Sequence, residues 1–323
     1  MNYLVTGAAG FIGSQVCAQL LARGDTVVGV DSLNDAYDVQ VKRWRLAQLQ
    51  GNTGFTFHHL DIARRDQVAA VFAGAPFAAV INLAARAGVR ASVEDPWVYF
   101  ETNVTGTINL LEQCRATGVQ KFVLASSSSV YGDKSTRPFH EDANTDAPYS
   151  PYAASKKAAE NVCYAYHHLH GIDMTVFRYF TVFGPAGRPD MSMFRFVQWI
   201  SEGVPVTVYG DGKQSRDFTY VDDIARGTIL GLKPLGYQVI NLGSDAPVVL
   251  LDALRTIETL VGRQAELRFK PAHPADMDAT WADVSKAKRL LGWTAQVPFE
   301  QGARNLVAWY QANRAWAKTV ATL

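Results

Sequence analysis

Short apolar runs alternate along the chain with stretches in which apolar residues recur at helical spacing. A run at residues 3–6 precedes a helical stretch whose apolar stripe is Val16, Leu20 and Leu21, and a second run follows at residues 26–30. Further apolar runs, separated by helical or turn-rich segments, lie at residues 80–85, 122–125, 174–180 and 238–242. Repeated strand–helix alternation of this kind predicts an α/β protein with a doubly wound parallel sheet.

Helical patterns fill the chain between and after these runs. They lie at about residues 96–117, 151–170, 283–291 and 299–317. At 323 residues the chain is long enough for a large domain and a smaller lobe. We expect the first domain to cover residues 1–180, with core elements returning at about residues 215–245. A smaller mixed lobe, interleaved with them, is expected over residues 181–323.

Composition and charge narrow the class of protein. Apolar residues make up 48% and charged residues 19% of the chain, and 31 basic against 30 acidic side chains give a formal charge of +1. This balance gives no electrostatic reason to bind nucleic acid or a membrane surface. No apolar run approaches the length of a membrane span, no signal peptide is visible, and the three cysteines lack metal-type spacing. We therefore expect a cytoplasmic protein with reduced cysteines that binds neither nucleic acid nor membrane.

The first predicted turn carries a glycine pattern, with Gly7, Gly10 and Gly13 between the first strand and the first helix. Glycines there permit a tight turn and a close approach of the backbone to a pyrophosphate, while the helix N-terminus supplies N–H groups. Asp31 ends the next strand, where a carboxylate accepts hydrogen bonds from ribose hydroxyls. These features predict a Rossmann-type dinucleotide site. Because no Arg is near Asp31 in the sequence, they favour NAD over its 2′-phosphorylated form.

A second candidate site is Tyr152-x-x-x-Lys156, whose two side chains lie one helical turn apart on the same face. A free phenol has a pKa of roughly 10, and a nearby ammonium together with a cationic nicotinamide would favour the phenolate that a general base requires. Taken alone, the pattern more often belongs to an exposed tyrosine and lysine on a surface helix. The serines at residues 126–129 end the preceding strand, and they form either a flexible turn or a hydroxyl group beside Tyr152.

Histidines near the end of the same helix, His167, His168 and His170, raise the question of a metal site. They lie in the last turn before Gly171, where imidazoles suit the negative end of the helix dipole. No second group of ligands accompanies them in the sequence. We predict no metal site.

Taken in order, these motifs resemble the extended short-chain dehydrogenases/reductases, whose glycine turn has the spacing Gly-x-x-Gly-x-x-Gly. The resemblance covers almost the whole chain and implies bound NAD. Aligning on the Val-Tyr-Gly at residues 130–132 selects Ser127 as the hydroxyl that acts with Tyr152 and Lys156 in catalysis. The resemblance also implies that the cofactor is bound by Gly7, Gly10, Phe11, Ile12, Gly13, Asp31, Asn34, Asp61, Ile62, Leu83, Ala84, Ala85, Asn103, Tyr152 and Lys156.

Two of these positions have an alternative interpretation. Asp61 follows the third predicted strand, where it contacts the adenine, as in the family, or caps the next helix, and the two roles do not exclude each other. Asn103 lies within a predicted helix and either matches the helix Asn of the family or is bonded within its own helix. Both residues remain candidates for cofactor binding.

Stretches at residues 31–38, 84–90 and 181–191 narrow the resemblance to the UDP-glucuronate 4-epimerases. This implies epimerisation at C4 of a UDP-sugar, from UDP-glucuronate to UDP-galacturonate, through a 4-keto intermediate. Tyr152 would take the 4-OH proton, and NAD would stay bound because no net oxidation occurs. The UDP-sugar would be held by Arg86, Ser126, Ser127, Ser128, Tyr152, Thr181, Arg188, Val208, Arg216 and Asp276.

A sugar carboxylate needs charged or multi-donor partners, because burying it unpaired is costly. Unless it is a surface arginine, Arg188 would pair with the carboxylate directly or order the loop that does. Ser126, Ser128 and Thr181 offer hydroxyl donors. The two serines are neutral, whereas dehydratases and decarboxylases of the family place acidic residues beside the catalytic hydroxyl. Arg216 resembles the diphosphate-binding Arg of the family.

The chain departs from the family pattern at two positions near the expected nucleotide site. Ala275 stands where relatives usually have Gly, which would cost about 1 kcal/mol if the turn needs a positive φ. His273 stands where some relatives place a phosphate-binding Arg. Nucleotide contacts in this segment are therefore the least determined by the sequence.

Other functions and an oligomeric state follow from the same resemblance. The first alternative is a UDP-glucose/UDP-galactose 4-epimerase, against which Thr181 argues mildly because those relatives usually have Asn there. A net dehydrogenase or reductase would need an exchangeable cofactor, and a non-catalytic NAD-binding sensor would not need Tyr152 and Lys156. The helices at residues 96–117 and 151–170, which are apolar on more than one face, imply a homodimer by family analogy, although core burial explains the same pattern.

Overall fold

A computed structural model of the chain describes residues 1–74, 76–132 and 135–322. The strands of these residues are β1 (Asn2–Thr6), β2 (Thr26–Asp31), β3 (Phe55–His59), β4 (Ala79–Asn82), β5 (Lys121–Ser127), β6 (Asp173–Tyr179), β7 (Thr181–Phe183), β8 (Val206–Tyr209), β9 (Ser215–Tyr220), β10 (Tyr237–Leu242), β11 (Pro247–Val249) and β12 (Leu267–Lys270). The α-helices are α1 (Phe11–Ala22), α2 (Val39–Leu49), α3 (Arg65–Phe72), α4 (Ala91–Glu94), α5 (Trp97–Phe100), α6 (Gly106–Thr117), α7 (Pro151–His170), α8 (Ser192–Glu202), α9 (Val221–Leu230), α10 (Leu250–Val261), α11 (Ser285–Leu291) and α12 (Phe299–Ala317).

The large sheet confirms the predicted doubly wound α/β fold. Within the described residues it has seven strands in the order β10-β6-β5-β4-β1-β2-β3, and every neighbouring pair is parallel. The strand order reverses between β1 and β4. In open α/β sheets a crevice for ligands opens at this reversal, outside the carboxyl ends of the strands.

Helices cover both faces of the sheet, because its buried strands present apolar side chains on each side. Val5 of β1 packs with α1, α9 and α11 on one face, whereas its neighbour Leu4 packs with α3, α6 and α7 on the other. Alternation along the strand thus builds two cores from one apolar run. The cysteines Cys17, Cys114 and Cys163 are unpaired and buried in these cores.

Among the described residues, two small sheets and three amphipathic helices form a second core beside the large sheet. One sheet has the strand order β11-β9-β7 and the other pairs β8 with β12. Their inner faces and the apolar faces of α8, α10 and α12 form one core that includes Phe218, Leu254 and Leu306. The chain returns to the large sheet through β10, whereas β9 stays in the small sheet. The division of the chain into domains at residue 180 stays a prediction.

The helix predicted at residues 96–117 contains an irregularity that the sequence pattern did not reveal. Between α5 and α6 the backbone forms a π-helical segment at Glu101–Thr105. A π-helical turn holds an extra residue and often marks a functional position in a helix. Asn103 lies in this segment, and its side chain contacts α7, as described below.

None of the helices that the structure describes is long and apolar enough to cross a membrane.

Candidate active site

A cavity of about 310 Å³ opens at the carboxyl ends of the central strands, where the strand order reverses. Its size lies within the range of small-molecule sites. Most of the predicted cofactor and substrate residues line this cavity. They are Gly7, Gly10, Phe11, Ile12, Gly13, Asp31, Asn34, Asp61, Ile62, Leu83, Ala84, Ala85, Ser126, Ser127, Ser128, Tyr152, Lys156, Thr181 and Arg188.

The glycine turn between β1 and α1 leaves no room for side chains. Gly7 has φ +67°, a left-handed conformation that favours glycine. A Cβ on Gly13 would lie 2.0 Å from the Gly7 carbonyl oxygen, and a Cβ on Gly10 would lie 2.8 Å from the same atom. Gly10 caps α1 without a side-chain hydrogen bond, so the helix N-terminus faces the cavity with its backbone N–H groups. This cradle fits the diphosphate of a dinucleotide.

Asp31 lies at the end of β2, and its carboxylate is held by backbone groups on both sides. Its Oδ2 accepts from the Ala9 N–H at 3.1 Å and its Oδ1 from the Leu33 N–H at 2.8 Å. The ordered carboxylate lines the cavity where a ribose would bind. A dinucleotide therefore fits both the turn and the acid.

A buried lysine from α2, which was not predicted, accompanies Asp31. Lys42 lines the cavity and donates to the Asn34 carbonyl oxygen at 2.7 Å and to Asn34 Oδ1 at 2.9 Å. Burial lowers the pKa of Lys42 to about 8, although the charge of Asp31 opposes this. Lys42 thus places a positive charge near Asp31, and it does so from α2, the helix that follows β2.

Asp61 and Asn103 each shape the backbone around the cavity. Asp61 Oδ1 accepts from the Ala63 N–H at 2.9 Å, whereas the residue that caps α3 is Arg64. The hydrogen bond from Ala63 to Asp61 closes the turn that precedes α3. The alternative of a helix cap at Asp61 is therefore wrong.

Asn103 is absent from the cavity lining that the structure describes. Its Nδ2 donates to Ser155 Oγ at 2.9 Å and to the Arg86 carbonyl oxygen at 3.0 Å, and its Oδ1 accepts from the Arg86 N–H at 2.9 Å. These bonds join the loop after β4 to α7. A direct contact of Asn103 with a cofactor stays a prediction.

Tyr152 and Lys156 lie on α7, which begins at Ser150 with a side-chain cap and Pro151 at its first turn. The Ser127 hydroxyl at the end of β5 lies beside the Tyr152 phenol, whose pKa it lowers, and it donates to Ser129 Oγ at 3.2 Å. Lys156 Nζ donates to the Ala125 carbonyl oxygen of the same strand at 2.8 Å. An ammonium has three donors, so two remain for other acceptors in the cavity.

Burial governs the pKa values of this pair in the protein alone. It raises the pKa of Tyr152, whereas the Ser127 hydrogen bond and the charge of Arg188 lower it. It lowers the pKa of Lys156 to about 8, and the charge of Glu160 opposes this change. The expected lowering of the Tyr152 pKa therefore depends on further positive charge in the cavity, which an oxidised nicotinamide would supply.

The structure gives Ser126 a different bonding role from the predicted one. Its hydroxyl, which is buried, donates to Glu160 Oε1 of α7 at 2.5 Å. A hydroxyl has a single proton to donate. In this arrangement the Ser126 hydroxyl has no proton left to donate to a ligand and can only accept, which argues against the carboxylate donor that the sequence suggested.

Arg188 lines the cavity as part of an ion pair. Its guanidinium donates to Asp190 at 3.0 Å and 2.5 Å and to the Ala87 carbonyl oxygen at 3.2 Å. Although burial opposes the charge, the Asp190 carboxylate raises the pKa of Arg188. The alternative of a solvent-exposed surface arginine is therefore wrong, and the contacts favour a role in ordering the loop.

A second arginine, Arg45 of α2, holds the same loop and was not predicted. It is 2% exposed and donates to the carbonyl oxygens of Ala186 at 2.8 Å, Gly187 at 2.9 Å and Ala9 at 3.3 Å. Ala186 has φ +50°, which is unusual for a residue with a side chain. Arg45 thus fixes a strained loop of the second lobe to the glycine turn.

The remaining predicted substrate residues are absent from the cavity lining that the structure describes. Arg90 pairs with Asp276 at 2.5 Å and lies over the Tyr209 ring. Arg216 donates to the backbone of its own strand, and burial lowers its pKa. Val208 is buried in the core of the second lobe, so its side chain is unavailable to a ligand.

Arg86 contacts Asn103 only through its backbone in the described residues. Its ligand contacts, like those of Arg216, Val208 and Asp276, stay predictions.

The turn around Ala275 does not need a positive φ at this residue, so the cost that a side chain would bring there does not arise. Ala275 is absent from the non-glycine residues with positive φ, which in the described chain are Leu33, Ala186 and Asp245. Its N–H donates to His273 Nδ1 at 3.1 Å, and the Asp276 N–H donates to the His273 carbonyl oxygen at 2.9 Å. His273 therefore closes the turn by local bonds that do not need glycine.

Sequence reasoning missed Lys42, Arg45 and Glu160. Asp38 caps α2, and Lys42 and Arg45 lie on the buried face of this helix. Two basic residues on the buried face of a capped helix were a signal in the sequence that could have identified them as candidate site residues. Glu160 follows Lys156 by four residues, which places the two on one helix face. Its contact with Ser126, however, depends on how α7 packs on β5.

Comparison with known proteins agrees with this site. The sequence model of the NAD dependent epimerase/dehydratase family matches residues 3–243. The chain is 53% identical to a UDP-glucuronate 4-epimerase from Thermodesulfobacterium geofontis, over 98% of both chains.

Two solved structures are also similar. A UDP-glucuronic acid 4-epimerase from Bacillus cereus, in complex with UDP-glucuronic acid and NAD, has 37% identity and a TM-score of 0.92 over 97% of this chain and 100% of that one. A UDP-glucose 4-epimerase from Thermotoga maritima, with UDP-glucose, has 30% identity and a TM-score of 0.89 over 97% of this chain and 100% of that one.

Proposed function

Because the chain belongs to the NAD dependent epimerase/dehydratase family, we propose that it is an NAD-dependent UDP-sugar 4-epimerase that converts UDP-glucuronate to UDP-galacturonate. The resemblance to extended short-chain dehydrogenases/reductases is confirmed, and so is the expectation of an enzyme that uses NAD.

One observation carries the choice of substrate. The chain is 53% identical to a UDP-glucuronate 4-epimerase along 98% of both lengths, which exceeds its 30% identity to the UDP-glucose 4-epimerase with a similar fold. Fold similarity alone does not discriminate, since the TM-scores of 0.92 and 0.89 are close. The difference in sequence identity therefore favours the acidic sugar.

The residues of the cavity supply the acid–base part of the reaction. NAD, held by the glycine turn and Asp31, would supply the hydride transfer to and from C4 of the sugar. Tyr152, as phenolate, takes the proton of the 4-OH and later gives it back, while Ser127 hydrogen-bonds to the same oxygen. Lys156, held by the Ala125 carbonyl, keeps positive charge beside the phenolate. The glycine turn and Asp31 hold the dinucleotide.

The part of the cavity that Arg188 lines suits the sugar carboxylate. Arg188 contributes a charged guanidinium there, although it is shared with Asp190. Thr181 and Ser128 line the same cavity with hydroxyl groups, which are donors that a carboxylate accepts. A neutral hexose ring has no carboxylate to pair with this guanidinium, which is the structural feature that supports an acidic sugar.

Parallel incubation of the purified protein with UDP-glucuronate and with UDP-glucose, without added NAD, tests the proposal. We expect UDP-galacturonate from the first and little product from the second, with NAD released only when the protein is denatured. Conversion of UDP-glucose alone would establish the neutral-hexose alternative. A pentose product would show that the enzyme loses CO2 from the 4-keto acid, and a strict need for added NAD would indicate a net dehydrogenase.

We also propose that two copies associate through α5 and α7 and that the protein is cytoplasmic. Trp97 is 82% exposed and Leu169 is 69% exposed on these helices, and exposed apolar side chains of this size often mark an interface. Free cysteines suit a reducing compartment. Sedimentation of the wild type and of W97K tests the first point, since W97K should sediment as a monomer if this surface pairs two copies.

A further inference from the structure

The last residues of β5 each contact α7 at successive helical turns. Ser127 contacts Tyr152 and Ala125 contacts Lys156, as described above. The residue between them, Ser126, contacts Glu160, which lies four residues beyond Lys156. Residues spaced by four share one face of a helix, so Glu160 extends the catalytic face of α7 by one turn.

Glu160 is a buried carboxylate with fixed partners. It is 2% exposed, and its Oε1 accepts from Ser126 Oγ at 2.5 Å and from Arg178 Nε at 3.0 Å. Its Oε2 accepts from Arg178 Nη2 at 2.8 Å. Arg178 is held in turn by the Glu141 carbonyl oxygen at 3.1 Å. A bidentate pair of this kind fixes the carboxylate in one orientation.

This orientation determines what Ser126 can offer to a ligand. Its only hydroxyl proton is donated to Glu160, so the side of Ser126 that lines the cavity presents lone pairs. Lone pairs accept from a sugar hydroxyl and repel a carboxylate. The negative charge behind Ser126 reinforces both preferences.

The same carboxylate acts on Lys156 from one helical turn away. Buried ammonium groups lose charge unless a negative group is near, and in the described residues Glu160 is the charged group that favours the charged form of Lys156. The contact that β5 makes with Lys156 is the Ala125 carbonyl oxygen, which carries no charge.

Other groups that face Glu160 come from three elements and do not remove its effect. Arg178 of β6 is in direct contact, Lys157 of α7 lies 3.9 Å from Oε2, and the Tyr237 hydroxyl of β10 donates to the backbone carbonyl of Glu160. Arg178 offsets part of the carboxylate charge, and the remaining effect of Glu160 is to raise the pKa of Lys156 against the lowering by burial.

We propose that Glu160 is a positioning residue of the active site, which acts through Ser126 and Lys156. By fixing the Ser126 proton it makes this part of the cavity wall an acceptor of sugar hydroxyls and directs a carboxylate away from it, toward donors such as Arg188, which lines the same cavity. By its charge it keeps Lys156 an ammonium at neutral pH. The first part rests on the proposed function, because it concerns how a UDP-sugar is oriented, whereas the second part does not.

Titration of Lys156 in the purified holoenzyme tests the second part without any substrate. In protein labelled with ¹³C-lysine, the Cε signal of Lys156 is assigned by its loss in K156R and is followed with pH in wild type and E160Q. We expect the midpoint in E160Q to lie about one pH unit below that of wild type, since a negative charge one turn away has been removed. An unchanged midpoint would overturn the charge role of Glu160.

Glu202 provides a matched control for this experiment. Its carboxylate also accepts twice from an arginine, Arg314, and once from a hydroxyl, that of Tyr310. E202Q therefore removes a similar set of bonds away from the cavity, and it should leave the Lys156 midpoint and the activity unchanged. A shift in E202Q equal to that in E160Q would show a general structural effect and overturn the proposal.

A second variant covers the case in which E160Q does not fold, because it leaves Arg178 without its carboxylate. S126A keeps the Glu160–Arg178 pair and removes the acceptor at the cavity wall together with the hydrogen bond from Ser126 to Glu160. We expect its KM for UDP-glucuronate to rise about tenfold, as for one lost hydrogen bond, with the Lys156 midpoint unchanged. A wild-type KM would overturn the acceptor role, whereas absence of any product from the wild-type enzyme would refute the proposed function instead.

Discussion

The dinucleotide side of the cavity and its sugar side are built in different ways. The dinucleotide side comes from one continuous segment in which β1, the glycine turn, α1 and β2 follow each other, and Asp31 closes it. The sugar side combines Arg188 with groups that lie far from it in the sequence, such as Ser126 and Tyr152. A continuous segment has its geometry fixed by local backbone rules, whereas a dispersed one depends on how the two lobes pack.

The two sides also use different chemistry to prepare for anions. Backbone N–H groups at the start of α1 face the dinucleotide side, and they need no counter-ion. On the sugar side, by contrast, Arg188 is already paired with Asp190, and Arg90, which is absent from the described cavity lining, is paired with Asp276. A ligand anion must therefore share these guanidinium groups with protein carboxylates. We expect substitutions on the sugar side to weaken UDP-sugar binding gradually, whereas substitutions on the dinucleotide side should remove most of the NAD binding at once.

Tyr152→Phe, at the junction of the two sides, should have the largest effect. Loss of the phenol removes the general base, and we expect kcat to fall by about 10³-fold while bound NAD is retained. Product formation and the NAD released on denaturation measure the two effects. Tyr99→Phe is the control, since the Tyr99 ring packs edge-on against Tyr152 with centroids 6.1 Å apart. Full turnover in Tyr152→Phe would refute the assignment of the base.

Gly13→Ala should have the next largest effect, confined to the dinucleotide side. In most helices this change is neutral or favourable by up to about 1 kcal/mol. Here the new Cβ would lie 2.0 Å from the Gly7 carbonyl oxygen, so the turn must move and the NAD content should fall severalfold or more. The change is measured by the NAD released per protein chain.

Gly74→Ala is the matched control, because the φ of Gly74 is not positive and the Val71 carbonyl oxygen, the nearest atom outside the adjacent residues, lies 3.5 Å from the added Cβ. It should change the free energy of unfolding by no more than about 0.5 kcal/mol. Normal NAD content in Gly13→Ala would mean that the turn adapts, and the contrast between the two sides would then fail.

The same contrast explains how much of the molecule could be predicted from its sequence. The parallel sheet, the glycine turn and the helix at residues 151–170 depend on periodicity and turn chemistry, which are local. Helix α7 has the predicted bounds, and Tyr152 and Lys156 reach the cavity together. These parts needed no knowledge of packing.

Contacts between distant segments were not predictable in this way. The hydrogen bond from Ser126 to Glu160 and the one from Arg45 to the Ala186 carbonyl oxygen join segments that are distant in the sequence. No local sequence pattern predicts them, because tertiary packing brings the partners together. The π-helical turn at Asn103 is another example, because a single added residue in a helix leaves the apolar pattern almost unchanged. The sequence supplied the residue types, and the fold selected their partners.

Arg188→Gln should have a moderate effect that depends on the charge of the ligand. A charged hydrogen bond contributes about 1.5–3 kcal/mol, so we expect the Kd of UDP-glucuronate to rise by about 10- to 100-fold, measured by calorimetry. The Kd of UDP-glucose should change much less. Arg226→Gln is the control, since Arg226 is also paired with an aspartate, Asp223, away from the cavity lining. Equal losses for both ligands would limit Arg188 to ordering its loop.

Asp276→Asn should have the smallest effect and is the sharpest test of how the sugar side is built. The side chains of Arg90 and Asp276 are 35% and 28% exposed, and pairs with this much solvent contact contribute about 0–1 kcal/mol. If Asp276 acts only by holding Arg90, the KM for UDP-glucuronate should change by less than about fivefold, with kcat unaltered, and added salt should reduce the difference. A tenfold or larger rise in KM that persists in salt would mean instead that Asp276 contacts the nucleotide directly. In that case the sugar side would bind its ligand with carboxylates as well as with paired arginines. Asp276 would then be a ligand contact of the same kind as Asp31 on the dinucleotide side.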